Sequence, residues 1–469
     1  MTGSLMRFAA AVLLFASPGL AQAPDDPFPD RIPADVEVVR VNFVEFASLP
    51  DIGGGPARPT LLVDEPGTAR LFVNDMRGPL YALTRDGRGV ARYIDIDDPR
   101  WGVRVESSGR ERGFQSFAFH PQFNQPGMPG FGKFYTWTDT ENTAPAADFS
   151  PGGGQDSHDT VLLEWTARDP GAATYDGGPP RELVRLEQPF GNHNAGQLGF
   201  DPTVRPGDPD FGLLYIGVAD GGSGGDPLDL AQNLLSPFGK ILRIHPLGSN
   251  GVNGEYGIPA GNPFVGRGDV LGEIYAYGVR NPQRFAWDPN NGNLFLADIG
   301  QNIVEELSLV PSGGNLGWND WEGSFRFISR SEVSLSGPRS DPTVTYPVAE
   351  YSQRDPLFQG SCCAITGVHV YRGGDVPALR DLVIFGDNPS GELFYIRADR
   401  LPAGGPTGIR RIVLNDGGTA KSLIEVIRAK NTQQGRQPAT RVDLRLGSGP
   451  DGELFLLNKQ DGVIRRAVR

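Results

Sequence analysis

One of the chain's five histidines stands apart. His193 lies in FGNHNAGQLGFD, Phe190 to Asp201, with Gly and Asn on both sides and a strand-like run after it. An imidazole on a short polar turn is accessible and titrates near neutral pH, which suits a general base. From this context alone, a bland surface histidine is an equal alternative. Asp220 ends the strand-like run LYIGVAD and opens the Gly-rich loop ADGGSGGD. A turn-capping aspartate is the ordinary reading, but beside His193 it would make a base and its orienting partner. Arg280 and Asn281 form a turn in YGVRNPQRF. A guanidinium can give two parallel hydrogen bonds to a carboxylate or to a quinone-type oxygen pair. A surface salt bridge is the simpler alternative.

The other candidates are weaker. His120 in FAFHP and His245 before Pro246 read as structural, and His369 alternates within VHVY. His158 lies in a polar stretch with no partner in view. Cys362 and Cys363 are the only cysteines and are adjacent, which excludes a disulfide framework and a Cys-rich zinc site. In an oxidising compartment they could close a vicinal disulfide; two thiols are the alternative. ADIGQNIVEE is no EF-hand loop, although main-chain oxygens of a Gly turn can bind calcium. No Walker loop, Rossmann fingerprint, HExxH or GxSxG occurs, so nicotinamide and zinc-hydrolase chemistry have no support.

These residues need a rigid frame, and the sequence supplies one in repeats. A turn followed by a short apolar strand recurs at ARLFVND from Ala69, GKFYTWTD from Gly132, LLYIGVAD from Leu213, GNLFLADIG from Gly292, DLVIFGD from Asp381 and DGELFLLN from Asp451. The spacing is roughly 60 to 90 residues, enough for about one four-stranded sheet plus loops. Helical periodicity is scarce, and the 64 Gly and 41 Pro interrupt nearly every long window. The pattern predicts an all-β fold: one six-bladed β-propeller over residues 36–469, with long loops forming the rim of the site. A β-sandwich or two all-β domains would be the alternative. The run from Val36 to Leu49 would complete the last blade and close the ring. The stretches from Ala144 to Gly154, Gly248 to Asp269 and Ser329 to Phe358 read as long loops, the last two setting specificity.

Residues 1–21 read as a secretory signal peptide. Arg7 precedes an apolar run from Phe8 to Ala16, and Gly19, Ala21 and Ala23 suit a signal peptidase. Cleavage after Ala21 is favoured over Ala23, which Pro24 follows. The expected destination is a periplasm or the cell exterior. No later stretch reads as a membrane span. The net charge of -13 disfavours nucleic acid and anionic membranes as partners.

The ordered set RGFQSFAFHPQF, GNHNAGQLGFD, YGVRNPQRFAWDP, DIGQNIVEE, GGNLGWNDWEG and ITGVHVYRGG closely resembles the soluble PQQ-dependent aldose dehydrogenases, the glucose/sorbosone dehydrogenase family. The resemblance implies a six-bladed propeller holding pyrroloquinoline quinone (PQQ) and Ca2+ on its axis. It implies oxidation of the anomeric hydroxyl of an aldose to a lactone by hydride transfer to PQQ. A separate electron acceptor, a cytochrome or a diffusible quinone or dye, would then be needed. His193 would be the general base, Asp220 its support, and Arg280 the holder of the quinone oxygens, with Asn281 on the same cofactor edge. Arg441 and Arg445 would meet the cofactor carboxylates. Main-chain oxygens of Gly300 and Gln301 would bind the cofactor-side calcium, and Glu306 matches a carboxylate of a second calcium site whose aromatic neighbour is Leu316 here. Cys362 and Cys363 would lie near the substrate mouth. One departure stands out: the turn from Gly386 to Phe394 lacks a lysine that better-known members carry. A propeller that keeps the fold without the cofactor, binding a glycan or protein, is the rival reading.

Overall fold

The computed structural model describes residues 26–469 except 156–157, 195 and 359–362. The expected signal peptide and Cys362 therefore lie outside the described residues. The chain is all-β. Four antiparallel sheets follow one another in sequence. The first runs from Pro59–Asp64 to Val90–Asp95, the second from Phe114–Phe119 to Arg181–Glu187, and the third from Leu198–Phe200 to Ile274–Tyr277. The fourth begins at Pro282–Trp287 and ends at Ala349–Ser352. A nine-stranded sheet holds the remaining C-terminal strands from Ile365–Tyr371 onward together with Val39–Ser48.

Each recurring apolar phrase is the second strand of such a unit: Leu71–Asp75, Lys133–Thr140, Leu214–Val218, Leu294–Asp298, Leu382–Asp387 and Leu454–Asn458. A second strand is paired on both sides, and five of these six runs are buried throughout, so they read as short continuous apolar runs. The first strands converge. Leu61, Phe117, Leu198, Phe285, Val368 and Leu446, one from each, line a single cavity of about 640 Å³. Side chains tie neighbouring first strands together. Thr60 Oγ1 donates to Gln115 O at 3.0 Å, Gln197 Nε2 to Phe285 O at 2.9 Å, and Thr366 Oγ1 to Leu444 O at 3.0 Å. Leu198 N donates to Ser116 Oγ at 2.9 Å.

Val39–Ser48 pairs parallel with Arg410–Asp416 and antiparallel with Val463–Val468, joining the chain's beginning to its end as the sequence suggested. Two expectations need correction. The stretch from Ser329 to Phe358 is no plain loop. It contains Glu332–Ser334, the edge of a small three-stranded sheet, and Ala349–Ser352, the fourth strand of the fourth sheet. A helix, Leu423–Gln433, also forms where none was expected; its signal was local, a capping box between Ser422 and Glu425.

Candidate active site

The site gathers at the starts of the first strands, in the turns that lead into them. His193 precedes Leu198–Phe200 and takes a left-handed backbone, φ 56°. Its main-chain N–H donates to Glu111 Oε2 at 2.7 Å, which pins the turn to the loop before the second sheet. Arg280 and Asn281 precede Pro282, which disfavours helical geometry at Asn281. Both of their N–H groups donate to the carboxylate of Asp298, at 2.9 and 2.7 Å. Asp298 ends the adjacent strand and so fixes the turn; burial pushes its carboxyl up to about 6 despite these N–H groups.

Three predicted residues touch. His193 Nδ1 lies 2.6 Å from Asp220 Oδ1, and Arg280 Nη2 lies 3.0 Å from His193 Nε2. All three are buried. With Nδ1–H given to the carboxylate, Nε2 is an acceptor and receives the Arg280 N–H. Asp220 also accepts from Gly222 N at 2.9 Å and from Trp318 Nε1 at 2.9 Å. Burial alone would raise the Asp220 carboxyl, but the His193 ring, the Arg280 guanidinium and the Gly222 N–H outweigh it and hold it below the usual range. Gly222 has φ +101°, and a Cβ there would come within 2.4 Å of Asn192 O, so the loop has room only for glycine. Trp318 was missed as a site residue although its motif was recognised. Its indole fixes the second oxygen of Asp220 and its ring lies 5.5 Å from the Arg280 guanidinium carbon.

Arg280 reaches across to the loop after Asp298. Its Nη1 donates to Ile299 O at 2.8 Å and Gly300 O at 2.7 Å. A Cβ at Gly300 would lie 1.5 Å from Val304 O, so the tight loop requires glycine there. Four consecutive N–H groups, Gln301 to Val304, converge on Glu322 Oε1 at 2.9 to 3.1 Å and fix that loop. The Gln301 side chain accepts from Gly225 N at 2.6 Å, tying the loop to the glycines after Asp220. The Glu306 carboxylate accepts from Gly323 N at 2.6 Å, and burial with Asp298 nearby pushes its acid well up. Leu316 is buried, and among the described residues no group of three or more His, Cys, Asp or Glu could hold a metal ion.

The predicted arginines come from the segment that leads into Leu444–Ser448 and from that strand. Arg441 donates Nη2 to Asn388 Oδ1 at 2.7 Å and forms an ion pair with Asp443. Asn388 sits in the turn that lacks the expected lysine. Arg445 is buried, donates only to Leu444 O, and is pulled down to about 10 by burial, with Arg441 adding to the effect and Asp443 opposing it. Arg284, buried in the middle of Pro282–Trp287, donates to Thr60 O at 2.7 Å and Gln115 O at 3.3 Å. It has no carboxylate partner among the described residues, and burial followed by repulsion from Arg445 lowers it strongly. Arg280 Nε, Asn281 Oδ1, Arg284 Nε and Arg445 Nε are all buried without a hydrogen-bond partner. Cys363 is disulfide-bonded and half-buried, packed against the apolar cluster around Phe358, Ile365 and Phe394; its Sγ lies 3.7 Å from Gln353 O. Gln353 in turn donates to Glu305, which accepts from Gly300 N at 3.4 Å. His158 is corrected: it is fully buried, with Nε2 2.9 Å from Asn194 Nδ2.

The family model for Glucose / Sorbosone dehydrogenase matches residues 70–466. The chain belongs to this family. The HIPL1 protein of Arabidopsis thaliana is 28% identical over 408 residues, covering 80% of this chain and 55% of that protein. The aldose sugar dehydrogenase YliI of Escherichia coli K12 is 33% identical over 288 residues, 60% of each chain. A PQQ-bound aldose sugar dehydrogenase from Streptomyces coelicolor superposes with a TM-score of 0.56 at 19% identity, covering 91% of this chain and 96% of its own, and so shares the fold. The chain spans about half the length of the plant relatives it matches. No helix of the described residues is long and apolar enough to cross a membrane.

Proposed function

We propose that this chain is an exported quinoprotein that oxidises the anomeric hydroxyl of an aldose to a lactone. The fold reading is a single six-bladed propeller over residues 36–469. The nine-stranded sheet then counts as two blades joined through Val39–Ser48, added to four separate sheets. Export follows from the expected signal peptide, with release to a periplasm or the medium. The observation that carries the function is the buried contact series Asp220, His193, Arg280 beside buried arginine Nε atoms and the Asn281 Oδ1 that lack partners.

PQQ fits this donor set. Its three carboxylates and adjacent quinone oxygens are acceptors, which the free N–H groups of Arg280, Arg284 and Arg445 can meet as donors. Arg280 and Asn281 would hold the quinone edge; Arg441 and Arg445 would hold carboxylates. Main-chain oxygens of Gly300 and Gln301 would hold Ca2+, a hard cation that prefers oxygen ligands. When bound, PQQ supplies the two-electron acceptor, taking the hydride from the sugar's anomeric carbon. The protein does the rest. The sugar hydroxyl replaces the Arg280 N–H at His193 Nε2 and gives its proton there. Asp220 stabilises the imidazolium that forms and fixes its ring. The Arg280 guanidinium offsets negative charge growing on the oxygens it holds. Regeneration then needs a separate electron acceptor.

The test is an absorbance titration of the mature protein with PQQ and calcium, followed by a panel of aldoses. Conversion of a bound-quinone band to its reduced form by one of the sugars is expected. His193→Ala should keep PQQ binding and lose roughly 100- to 10,000-fold in turnover. Unchanged turnover in that variant removes His193 as base. The second reading, a cofactor-free module binding a glycan or protein, is favoured by Asn388 standing in the lysine-free turn. Absence of quinone binding by folded, calcium-supplied protein would select it.

A further inference from the structure

Lys459 follows Leu454–Asn458 and was no part of the expected site. Its Nζ donates to Arg110 O at 3.1 Å, and the next residue, Glu111, holds the His193 main chain. Lys459 is only partly exposed. Among the described residues it forms no ion pair, which leaves two of its three N–H donors without a protein carboxylate. Its surroundings are cationic. Asn458 pairs opposite Leu444 and Leu457 opposite Arg445, which sets Lys459 beside the start of the strand that carries Arg445; Arg445, Arg58 and Arg284 bear on it, with Asp443 opposing them. Asp443 is itself engaged by Arg441 and by Gln460 Nε2. Arg58 is spent on Ser107 O and Gly109 O. The only further carboxylate bearing on Arg445 is Glu111, which already accepts from His193 N. Packing an ammonium among guanidiniums is unfavourable unless an anion joins them. The turn from Gly386 to Phe394, which lacks the lysine of better-known members, offers the neutral Asn388 to Arg441.

We propose that Lys459 binds a carboxylate of the cofactor, beside Arg445 and Arg441, in place of the lysine that the turn from Gly386 to Phe394 lacks. The anion comes from the ligand, and the cation comes from a different sheet strand than the family pattern would suggest. This rests on the PQQ reading above. Without ligand, burial and then the neighbouring cations hold the Lys459 amine well below its ordinary value. An arriving carboxylate opposes that, so binding favours the protonated amine and takes up a proton.

The experiment is calorimetric titration of PQQ into calcium-supplied mature protein at pH 8, in two buffers of different ionisation enthalpy. Wild type, Lys459→Met and Lys459→Arg are compared. The expected result is proton uptake by wild type that is lost in Lys459→Met. Affinity should fall about 10- to 100-fold in Lys459→Met and be largely restored in Lys459→Arg. The melting temperature of ligand-free Lys459→Met should be equal to or above that of wild type, because a repelled cation is gone. Equal affinity and equal proton uptake in Lys459→Met would overturn the proposal and leave the quinoprotein reading standing. A lowered melting temperature with unchanged affinity would make Lys459 structural and also overturn it. No binding by wild type would instead sink the functional reading, and this inference with it.

Discussion

At the residue scale, the three catalytic candidates were legible because each stands where a strand meets a turn of Gly, Asn or Pro. Their contact was not, because His193 and Arg280 are 87 positions apart and meet only through the fold. Trp318 shows the same limit. Its indole meets Asp220 across 98 positions, and nothing in its own motif marks it as a partner of a carboxylate. Trp318→Phe keeps an aromatic ring, though a smaller one, and removes the N–H. Asp220 Oδ2 is then left buried without its donor, at a cost of about 1–3 kcal/mol. Asp220 would hold His193 less well, and kcat should fall roughly 10- to 100-fold while quinone affinity changes little. Steady-state kinetics with the best aldose, set beside a quinone titration, measures both; full kcat in Trp318→Phe would mean the indole is packing only.

At the element scale, second strands read more clearly than first strands. Leu294–Asp298 is buried along its whole length and pairs on both sides, so its apolar run survives in the sequence. Leu198–Phe200 is three residues long and follows the polar turn that carries His193, so only a brief strand-like run marks it in the sequence. Val39–Ser48 was legible as a strand-like run near the start of the chain. It has strands on both sides, and Tyr395 Oη also donates to Glu37 O just before it, at 2.6 Å. Removing residues 26–48 from the mature protein would expose the ladder edges of Arg410–Asp416 and Val463–Val468 at once. Open edges of that kind pair with other chains. The truncated protein is expected to elute as soluble aggregate under conditions where the full mature chain gives one peak. A monodisperse, fully folded truncation would show that the strand is dispensable for closing the sheet.

At the scale of the whole molecule, the sequence could not show how much charge the closed fold buries. Lys240 donates to Leu230 O, Ala231 O and Phe238 O, and burial lowers it to about 7. His120, His158 and His369 are each pushed down to about 4, chiefly by burial. Asp139 goes the other way. It is fully buried, accepts from Gly113 N at 2.9 Å and from Thr160 Oγ1 at 2.5 Å, and burial raises it to about 8. An unfolded aspartate titrates near 3.9, so between about pH 4 and 8 the native state keeps a proton that the unfolded chain has lost. Stability therefore falls as pH rises through that window, by up to about 1.4 kcal/mol per pH unit from this one group. The lowered histidines and Lys240 slope oppositely in their own windows, below about 6.5 and above about 7, so wild type alone would blur the signal. Asp139→Asn carries the neutral form at every pH and leaves those other groups in place. Its stability advantage over wild type should grow by roughly 3 kcal/mol between pH 5 and 7.5. Chemical denaturation of both proteins across that range reads the difference directly. Parallel curves would mean that Asp139 is ionised in the native state and that its pocket is wetter than the closed sheets around it imply.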